Sequence, residues 1–186
     1  MIVPNREKAL DLLYAHNQSQ SLRSHGLAVE AAMRYIARKW GEDEDYWAEI
    51  GLLHDIDYEK HPDEHLQHAS GMLKDAGYDD EFINSVLSHG WEICTDIKPE
   101  SKMECALYGA DELCGLITAC AYMRPSKSVT DLEVSSVKKK FKSKAFAAGV
   151  NRDIVLKGCE LLGITLEELI EMVILGMREN HEEMGL

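Results

Sequence analysis

A histidine followed directly by an aspartate, His54-Asp55, is the stretch of this sequence best suited to chemistry. It offers an imidazole nitrogen and a carboxylate oxygen close to each other. These two ligand types together suit a divalent first-row metal with a catalytic rather than a purely structural role. Because His-Asp is a common dipeptide, the argument depends on whether other polar residues share the apolar surroundings of this pair.

Three polar side chains interrupt the apolar faces of separate predicted helices. His25 lies within an apolar stripe that has the three- and four-residue steps of an amphipathic helix. His54 ends the apolar face of the next helix, and Asp111 lies among apolar residues of a later one. A single histidine in such a place is usually a core residue whose polar atoms are hydrogen-bonded. Three such positions in one chain require a shared explanation.

A buried aspartate is the hardest of these residues to explain without a ligand. A charged carboxylate in a low-dielectric core costs several kcal/mol unless it is paired or bound to a metal. No Lys or Arg stands three or four residues from Asp111 on either side, so its partner must come from another segment. One divalent cation would satisfy two imidazoles and two carboxylates at once and leave positions for water or substrate. We therefore predict a metal site formed by His25, His54, Asp55 and Asp111.

The elements that position these residues are all predicted to be helices. Their approximate ranges are a short helix before residue 17, then 19–40, 43–54, 63–75, 79–89, 103–122, a Lys-rich helix after 133, 151–162 and 165–181. Thr130 with Glu133, and Thr165 with Glu168, have the spacing of capping boxes. No convincing strand alternation, internal repeat or low-complexity tract occurs. The fold class predicted from the sequence is all-α.

Chain length indicates the number of domains, and net charge indicates which classes of partner to expect. The chain of 186 residues fits one domain over 1–186, on a prior of roughly 100–200 residues per domain. The formal net charge is −13. Nucleic acids and anionic membranes both reward positive surface, so we expect neither as the main partner.

Cysteine usage and apolar runs indicate a cytoplasmic protein. The five cysteines are odd in number and none has C-x-x-C spacing, so we expect neither a disulfide framework nor a zinc ribbon. The N-terminal residues lack the apolar run of a signal peptide. The most continuous apolar stretch, 113–123, is far below the roughly 18 residues of a membrane-spanning helix.

Three short motifs together carry a family resemblance. They are Ser24-His25-Gly26, Leu53-His54-Asp55-Ile56-Asp57 and Ala110-Asp111-Glu112-Leu113. In order, spacing and helical context, residues from about 20 to 125 resemble the HD-domain superfamily of metal-dependent phosphohydrolases. The chain looks most like small stand-alone bacterial members described as predicted hydrolases. The resemblance implies a helical bundle with the metal site in its core, and it leaves a C-terminal helical extension over about 127–186 unexplained.

The activity that the resemblance implies is hydrolysis of a phosphate ester, often that of a nucleotide, as a phosphomonoesterase or phosphodiesterase. His25, His54, Asp55 and Asp111 would bind one or two divalent ions (Mn, Mg, Co, Ni, Fe or Zn). A metal-activated water would attack phosphorus. Asp55 would also be catalytic, with its second oxygen orienting that water. The expected partner is a small phosphorylated substrate.

Further histidines could extend the site, because two-metal members of the superfamily supply additional ones between the His-Asp pair and the last Asp. His89 ends an apolar face and could be a metal ligand or a phosphate donor. His61 and His65 could line the mouth of the site, or they could belong to a solvated loop and helix start. Arg23 and Lys60 are near the ligands in sequence and could bind phosphate, or they could be exposed helix charges.

Two other functions remain compatible with the same residues. A di-iron oxygenase of the HD type would keep the metal but would need more ligands than these four. A non-catalytic domain that binds metal and senses a nucleotide would keep the site without turnover. The sequence leaves open the substrate, the metal, whether the chain forms a homodimer, and whether the C-terminal helices form a lid, a dimer surface or part of the core.

Overall fold

The computed structural model describes residues 3–186, and within them the regular structure is helical. The α-helices are α1 (Arg6–His16), α2 (Gln20–Trp40), α3 (Glu44–Leu53), α4 (Ala69–Asp75), α5 (Asp80–Ser88), α6 (Lys102–Tyr122), α7 (Val134–Phe141), α8 (Arg152–Leu162), α9 (Leu166–Glu179) and α10 (His181–Met184). An isolated bridge between Trp91 and Thr95 is the only β-type pairing in this part of the chain. The predicted all-α fold is confirmed.

Met1 and Ile2, which belong to the N-terminal stretch considered for a signal peptide, lie outside the described residues. None of the helices found between residues 3 and 186 has the length and apolar character needed to cross a bilayer.

Helix α2 forms the centre of the packing, and it contacts α3, α9 and α6. Its crossing with α3 is close: a Cβ added to Gly51 of α3 would lie 2.9 Å from the carbonyl oxygen of Val29. Glycine therefore lets the two backbones approach at this point. The crossing brings the C-terminal end of α3, where His54 stands, against α2, which carries His25. The centroids of these two imidazole rings are 5.1 Å apart.

The C-terminal helices contribute to the same hydrophobic core. Val137 of α7, Val155 of α8 and Val173 of α9 are fully buried in the cluster that also contains residues of α2 and α3. Helix α8 packs along α6, and α9 packs along α2. These helices therefore support the two elements, α2 and α6, that carry His25 and Asp111.

The helix predicted over 63–75 is wrong in its first half. Only a single 3₁₀ turn, Pro62–Glu64, precedes an α-helix that begins at Ala69, and Leu66 between them has a left-handed backbone with φ of 66°. The physical reason is a side-chain cap. The buried carboxylate of Asp57 accepts hydrogen bonds from the backbone N–H groups of His68 and Ala69, so the α-helix starts there.

Helix capping was predicted correctly at one of two positions. The capping box at the start of α9 is present. The predicted box of Thr130 and Glu133 is wrong, because Glu133 itself is the N-cap residue of α7 and Thr130 contacts Ser128. A box that the sequence analysis did not predict, Ser101 with Glu104, begins α6, the helix that carries Asp111.

Candidate metal centre

Six polar side chains from different elements converge at one place. They are His25 from α2, His54 and Asp55 from the end of α3, His65 from the loop before α4, His89 from the end of α5, and Asp111 from α6. They form three overlapping groups in each of which the candidate ligand atoms lie within 4.8 Å of one another. The structure therefore brings together the four residues predicted as ligands and adds two histidines to them.

Asp55 lies at the centre of this cluster. Its Oδ2 is 3.3 Å from Nε2 of His54 and 3.8 Å from Nε2 of His25. Its Oδ1 is 3.3 Å from Nε2 of His65 and 3.4 Å from Nε2 of His89. One carboxylate thus stands between two pairs of imidazoles, with one oxygen facing each pair.

Asp111 completes one of the two halves. Its Oδ1 is 2.9 Å from Nε2 of His25 and 3.3 Å from Nε2 of His54. The first half therefore contains two imidazoles and oxygens from two carboxylates. The second half contains His65, His89 and the remaining oxygen of Asp55.

The ring orientations of the two most buried histidines are set by backbone carbonyls. Nδ1 of His54 is 2.7 Å from the carbonyl oxygen of Gly51, and Nδ1 of His89 is 2.6 Å from that of Val86. Because a carbonyl oxygen can only accept, each Nδ1 carries the proton and donates it. In each ring Nε2 is the nitrogen that points into the cluster. This is the usual arrangement of histidines that bind a metal through Nε2.

The charges around His54 favour a cation between these residues. Nε2 of His54 is buried and makes no hydrogen bond of acceptable geometry, although it lies 3.3 Å from oxygens of both Asp55 and Asp111. In a neutral ring, a lone pair would face two negative oxygens. Burial disfavours charge on His54, but the two carboxylates outweigh it and raise its pKa well above the ordinary value. The site therefore requires positive charge at this point, which a divalent metal would supply.

The two aspartates of the cluster are held in their charged form. Burial alone would raise the pKa of Asp55 and of Asp111. The imidazole of His54 acts in the opposite sense on both, supported by His89 at Asp55 and by His25 at Asp111, and the pKa of each carboxyl falls well below its usual range. Ionised carboxylates beside Nε2 atoms form a donor set suited to a first-row divalent metal.

Asp57 positions His65, a role that the sequence analysis missed. Its carboxylate is fully buried, and Oδ1 lies 3.1 Å from Nδ1 of His65. This contact directs Nε2 of the same ring towards Asp55. Although burial opposes charge on Asp57, His65 and the backbone N–H groups of Leu66 and His68 lower its pKa. The available signal was its position two residues after Asp55 in the central motif.

The three further histidines considered from the sequence have different locations. His89, expected as a metal ligand or a phosphate donor, and His65, expected at the mouth or in a solvated loop, both lie in the six-residue cluster. The solvated-loop interpretation of His65 is wrong, because its side chain is only 16% exposed. His61 is elsewhere: its ring stacks on that of His68, which pairs with Glu64. These last three residues form a separate group that could hold a metal.

The structure does not bring the two candidate phosphate-binding cations to the cluster. The Arg23 guanidinium donates to the carbonyl oxygen of Asn17 and lies over the ring of Tyr14. Nζ of Lys60 is 3.0 Å from Nδ1 of His16. Neither residue lines the cavity at the cluster. The substrate contacts assigned to these residues therefore stay predictions without support from the geometry.

A cavity of about 310 Å³ opens directly onto the cluster. Besides cluster residues, its walls are formed by Tyr58, Gly90, Ile93, Cys94, Glu112 and Gly115. Oε2 of Glu112 accepts a hydrogen bond from the backbone N–H of Asn151 at the start of α8. Burial raises the pKa of Glu112 above its usual value. The arrangement is a helical core whose six candidate metal ligands border an open cavity.

Comparison with known families agrees with this class of protein. Residues 22–113 match the HD domain, a segment that includes all six cluster residues. The chain belongs to the HD-domain superfamily, whose members are mostly metal-dependent hydrolases. No curated protein and no solved structure gives a significant match to this chain.

Proposed function

We propose that this protein is a metal-dependent phosphohydrolase that acts on a nucleotide or another small phosphoester. One observation carries the proposal: four imidazole Nε2 atoms surround the carboxylate of Asp55, and the carboxylate of Asp111 contacts two of them, at the base of an open cavity. The remaining polar atoms of His54 and His89 are already satisfied by backbone carbonyls. The Nε2 atoms of these two rings are therefore preorganised to bind cations.

The two halves of the cluster support binding of two cations. His25, His54 and Asp111 would hold one, together with Oδ2 of Asp55. His65 and His89 would hold the other, together with Oδ1 of Asp55. Because both oxygens of Asp55 face imidazole nitrogens, we propose a bridging role for it in place of the water-orienting role expected from the sequence. The second half offers fewer protein ligands, so it leaves more positions for substrate and water.

The chemistry of such a centre accounts for the proposed reaction. Divalent metal ions supply an acidified water near neutral pH and stabilise negative charge on a phosphoryl oxygen. The protein directs substrate to one side of the centre: the side chains of His54 and His89 are 0% and 4% exposed, whereas Asp55 and Asp111 are about one-fifth exposed. A phosphoester would therefore approach through the cavity, against these two carboxylates and the metals that they hold.

Metal content and phosphate release test this proposal together. Purified protein should hold divalent metal near stoichiometrically and should release phosphate from p-nitrophenyl phosphate or a nucleotide with at least one of Mg²⁺, Mn²⁺, Co²⁺, Ni²⁺, Fe²⁺ or Zn²⁺. Asp55→Asn and Asp111→Asn should each abolish turnover and lower metal content while the helical circular dichroism is kept. Asp63→Asn, at an exposed position, is the matched control. Full activity of both cluster variants would exclude the assigned site.

A di-iron oxygenase is a second candidate, and the positions of His65 and His89 favour keeping it. That chemistry needs more than the four ligands predicted from the sequence, and six are present. Imidazole also suits iron. Oxygen consumption by the Fe²⁺-loaded protein, with no phosphate release from any phosphoester, would support the oxygenase and exclude the phosphohydrolase.

A further inference from the structure

The cavity over the metal centre has no cationic wall. Among the described residues that line it there is no Lys or Arg. Outside the cluster, Glu112 is the one charged side chain that residues 3–186 contribute to its lining. Proteins bind phosphate groups mainly with Arg, Lys or metal ions. In this cavity, only the metal centre can therefore neutralise a phosphate.

The cations on neighbouring segments are engaged elsewhere. Nζ of Lys157 is 2.6 Å from Oε2 of Glu92 and lies over the ring of Trp91. Lys98 lies over the same ring. Arg152 donates to backbone carbonyls of Phe141 at the end of α7 and of the loop before α8. Any of these cations would have to give up its present contacts to reach a substrate.

From this we propose that the protein selects substrates with a single phosphate group. The proposal rests on the phosphohydrolase function argued above and names its substrate class. The reacting phosphate would lie on the metal centre. Each further phosphate of a di- or triphosphate would bring negative charge into a cavity that is also lined by the carboxylate of Glu112, in a chain with a net charge of −13. That charge would remain unpaired and partly desolvated, which is unfavourable.

The side chains that line the cavity also indicate which kind of alcohol is esterified to the phosphate. Tyr58 and Ile93 line the cavity and remain 40% and 57% exposed, so they offer an apolar surface that includes an aromatic ring. Oε1 of Glu112 makes no hydrogen bond or ion pair with any residue that the structure describes, and it can accept a hydrogen bond from a hydroxyl group. A flat apolar ring joined to a hydroxylated sugar fits both features. The substrate class is a nucleoside monophosphate.

A matched series of phosphate donors tests the selection. The metal-loaded protein is assayed with adenosine mono-, di- and triphosphate at fixed free metal concentration, with p-nitrophenyl phosphate as a generic ester. We expect kcat/KM to fall at least about tenfold for each added phosphate, which corresponds to about 1.4 kcal/mol. Equal turnover of all three nucleotides would overturn the inference and leave the phosphohydrolase intact. Absence of phosphate release from every ester would overturn both.

A cation added to the wall supplies an independent test. Ile93→Arg places a guanidinium at the cavity rim, so it should raise the ratio of diphosphate to monophosphate turnover by about tenfold, again about 1.4 kcal/mol. Leu156→Arg is the control, since Leu156 is 46% exposed and does not line the cavity. Tyr58→Ala should raise KM for the monophosphate, whereas Tyr122→Ala, also exposed and outside the cavity, should not. An unchanged ratio in Ile93→Arg together with an unchanged KM in Tyr58→Ala would overturn the inference.

Discussion

Nδ1 of His65 lies 3.1 Å from the buried carboxylate of Asp57. The other oxygen of that carboxylate accepts hydrogen bonds from the backbone N–H groups of His68 and Ala69, with N···O distances of 3.2 and 3.1 Å. One side chain therefore fixes the start of α4 and the orientation of a histidine in the metal cluster. Asp57 therefore both orders this loop and places His65 in the second half of the site.

Replacing Asp57 by Asn tests both roles. An amide offers one acceptor and one donor, so its NH₂ group would face either the N–H donors of His68 and Ala69 or Nδ1 of His65. In the second orientation His65 must accept through Nδ1, which puts its proton on Nε2 and removes the lone pair that would bind a metal. We expect the metal affinity to fall roughly 10–100-fold, as for other groups that orient metal ligands. The free energy of unfolding should fall by about 1–3 kcal/mol because buried donors lose their partner. Metal titration and thermal denaturation measure the two effects.

The control for this substitution is Asp63→Asn, which makes the same chemical change at an exposed position of the same loop. It should leave both quantities near their wild-type values. Wild-type metal affinity in Asp57→Asn would contradict the positioning role.

Removal of the His65 imidazole should cost one of the two metal ions. In the second half of the site, His65→Ala leaves His89 and one oxygen of Asp55, too few protein ligands for tight binding. We expect the metal content after dialysis to fall from about two ions to about one per chain, on the usual ligand number of such sites. His16→Ala, whose imidazole contacts Lys60 rather than the cluster, should keep the full content. Two retained ions in His65→Ala would show that the division into halves is wrong.

The metal-free protein should lose stability at alkaline pH. Burial disfavours charge on His54, but Asp55 and Asp111 raise its pKa well above the ordinary value of 6.5. A raised folded-state pKa means that protonated His54 contributes its full stability below pH 6.5, and that this contribution is lost as pH rises through the folded pKa. A bound metal would replace the proton, so this loss should disappear in the loaded protein.

Thermal denaturation of chelator-treated and metal-loaded protein, compared over the same series of buffers, measures this difference. The melting temperature of the metal-free form should decline above pH 6.5 while that of the loaded form should decline less. If the melting temperatures of the two forms declined equally with pH, the idea that a proton on His54 takes the place of the metal would be wrong.

The crossing of α6 and α8 depends on two glycines. A Cβ added to Gly158 would overlap Cα of Gly109 and lie 2.9 Å from its backbone nitrogen, and a backbone cannot move aside as a side chain can. Gly158→Ala should therefore lower the free energy of unfolding by about 1–3 kcal/mol, the usual cost of overpacking. Because α6 carries Asp111, metal affinity should fall as well. Chemical denaturation with and without metal measures both.

Gly71 in α4 provides the matched control, since an added Cβ meets nothing within 4 Å there. Alanine is the better helix former, so Gly71→Ala should stabilise the protein by about 0.5–1 kcal/mol. Equal destabilisation by the two substitutions would show that the close approach of α6 and α8 at Gly158 is not the cause.

The main helices and four of the six cluster residues could be predicted from the sequence, because an amphipathic helix is recognisable from the spacing of its apolar residues. The step of three to four residues between apolar side chains indicated α2, α3 and α6, and it showed that His25, His54 and Asp111 interrupt apolar faces. A buried carboxylate without a cation nearby in sequence pointed to a metal. Each of these inferences depends only on neighbours along one helix and on the cost of burying charge.

Tertiary structure alone decided which further residues join the site. His65 reaches the cluster because Leu66 is left-handed and Asp57 caps α4, and a loop of this kind has no periodicity to read. Arg23 is only two residues from His25, yet it bonds to the carbonyl of Asn17, since adjacent residues of a helix point in different directions. Side chains from separate segments meet only through long-range packing of the core. The spacing of residues along one helix does not reveal that packing.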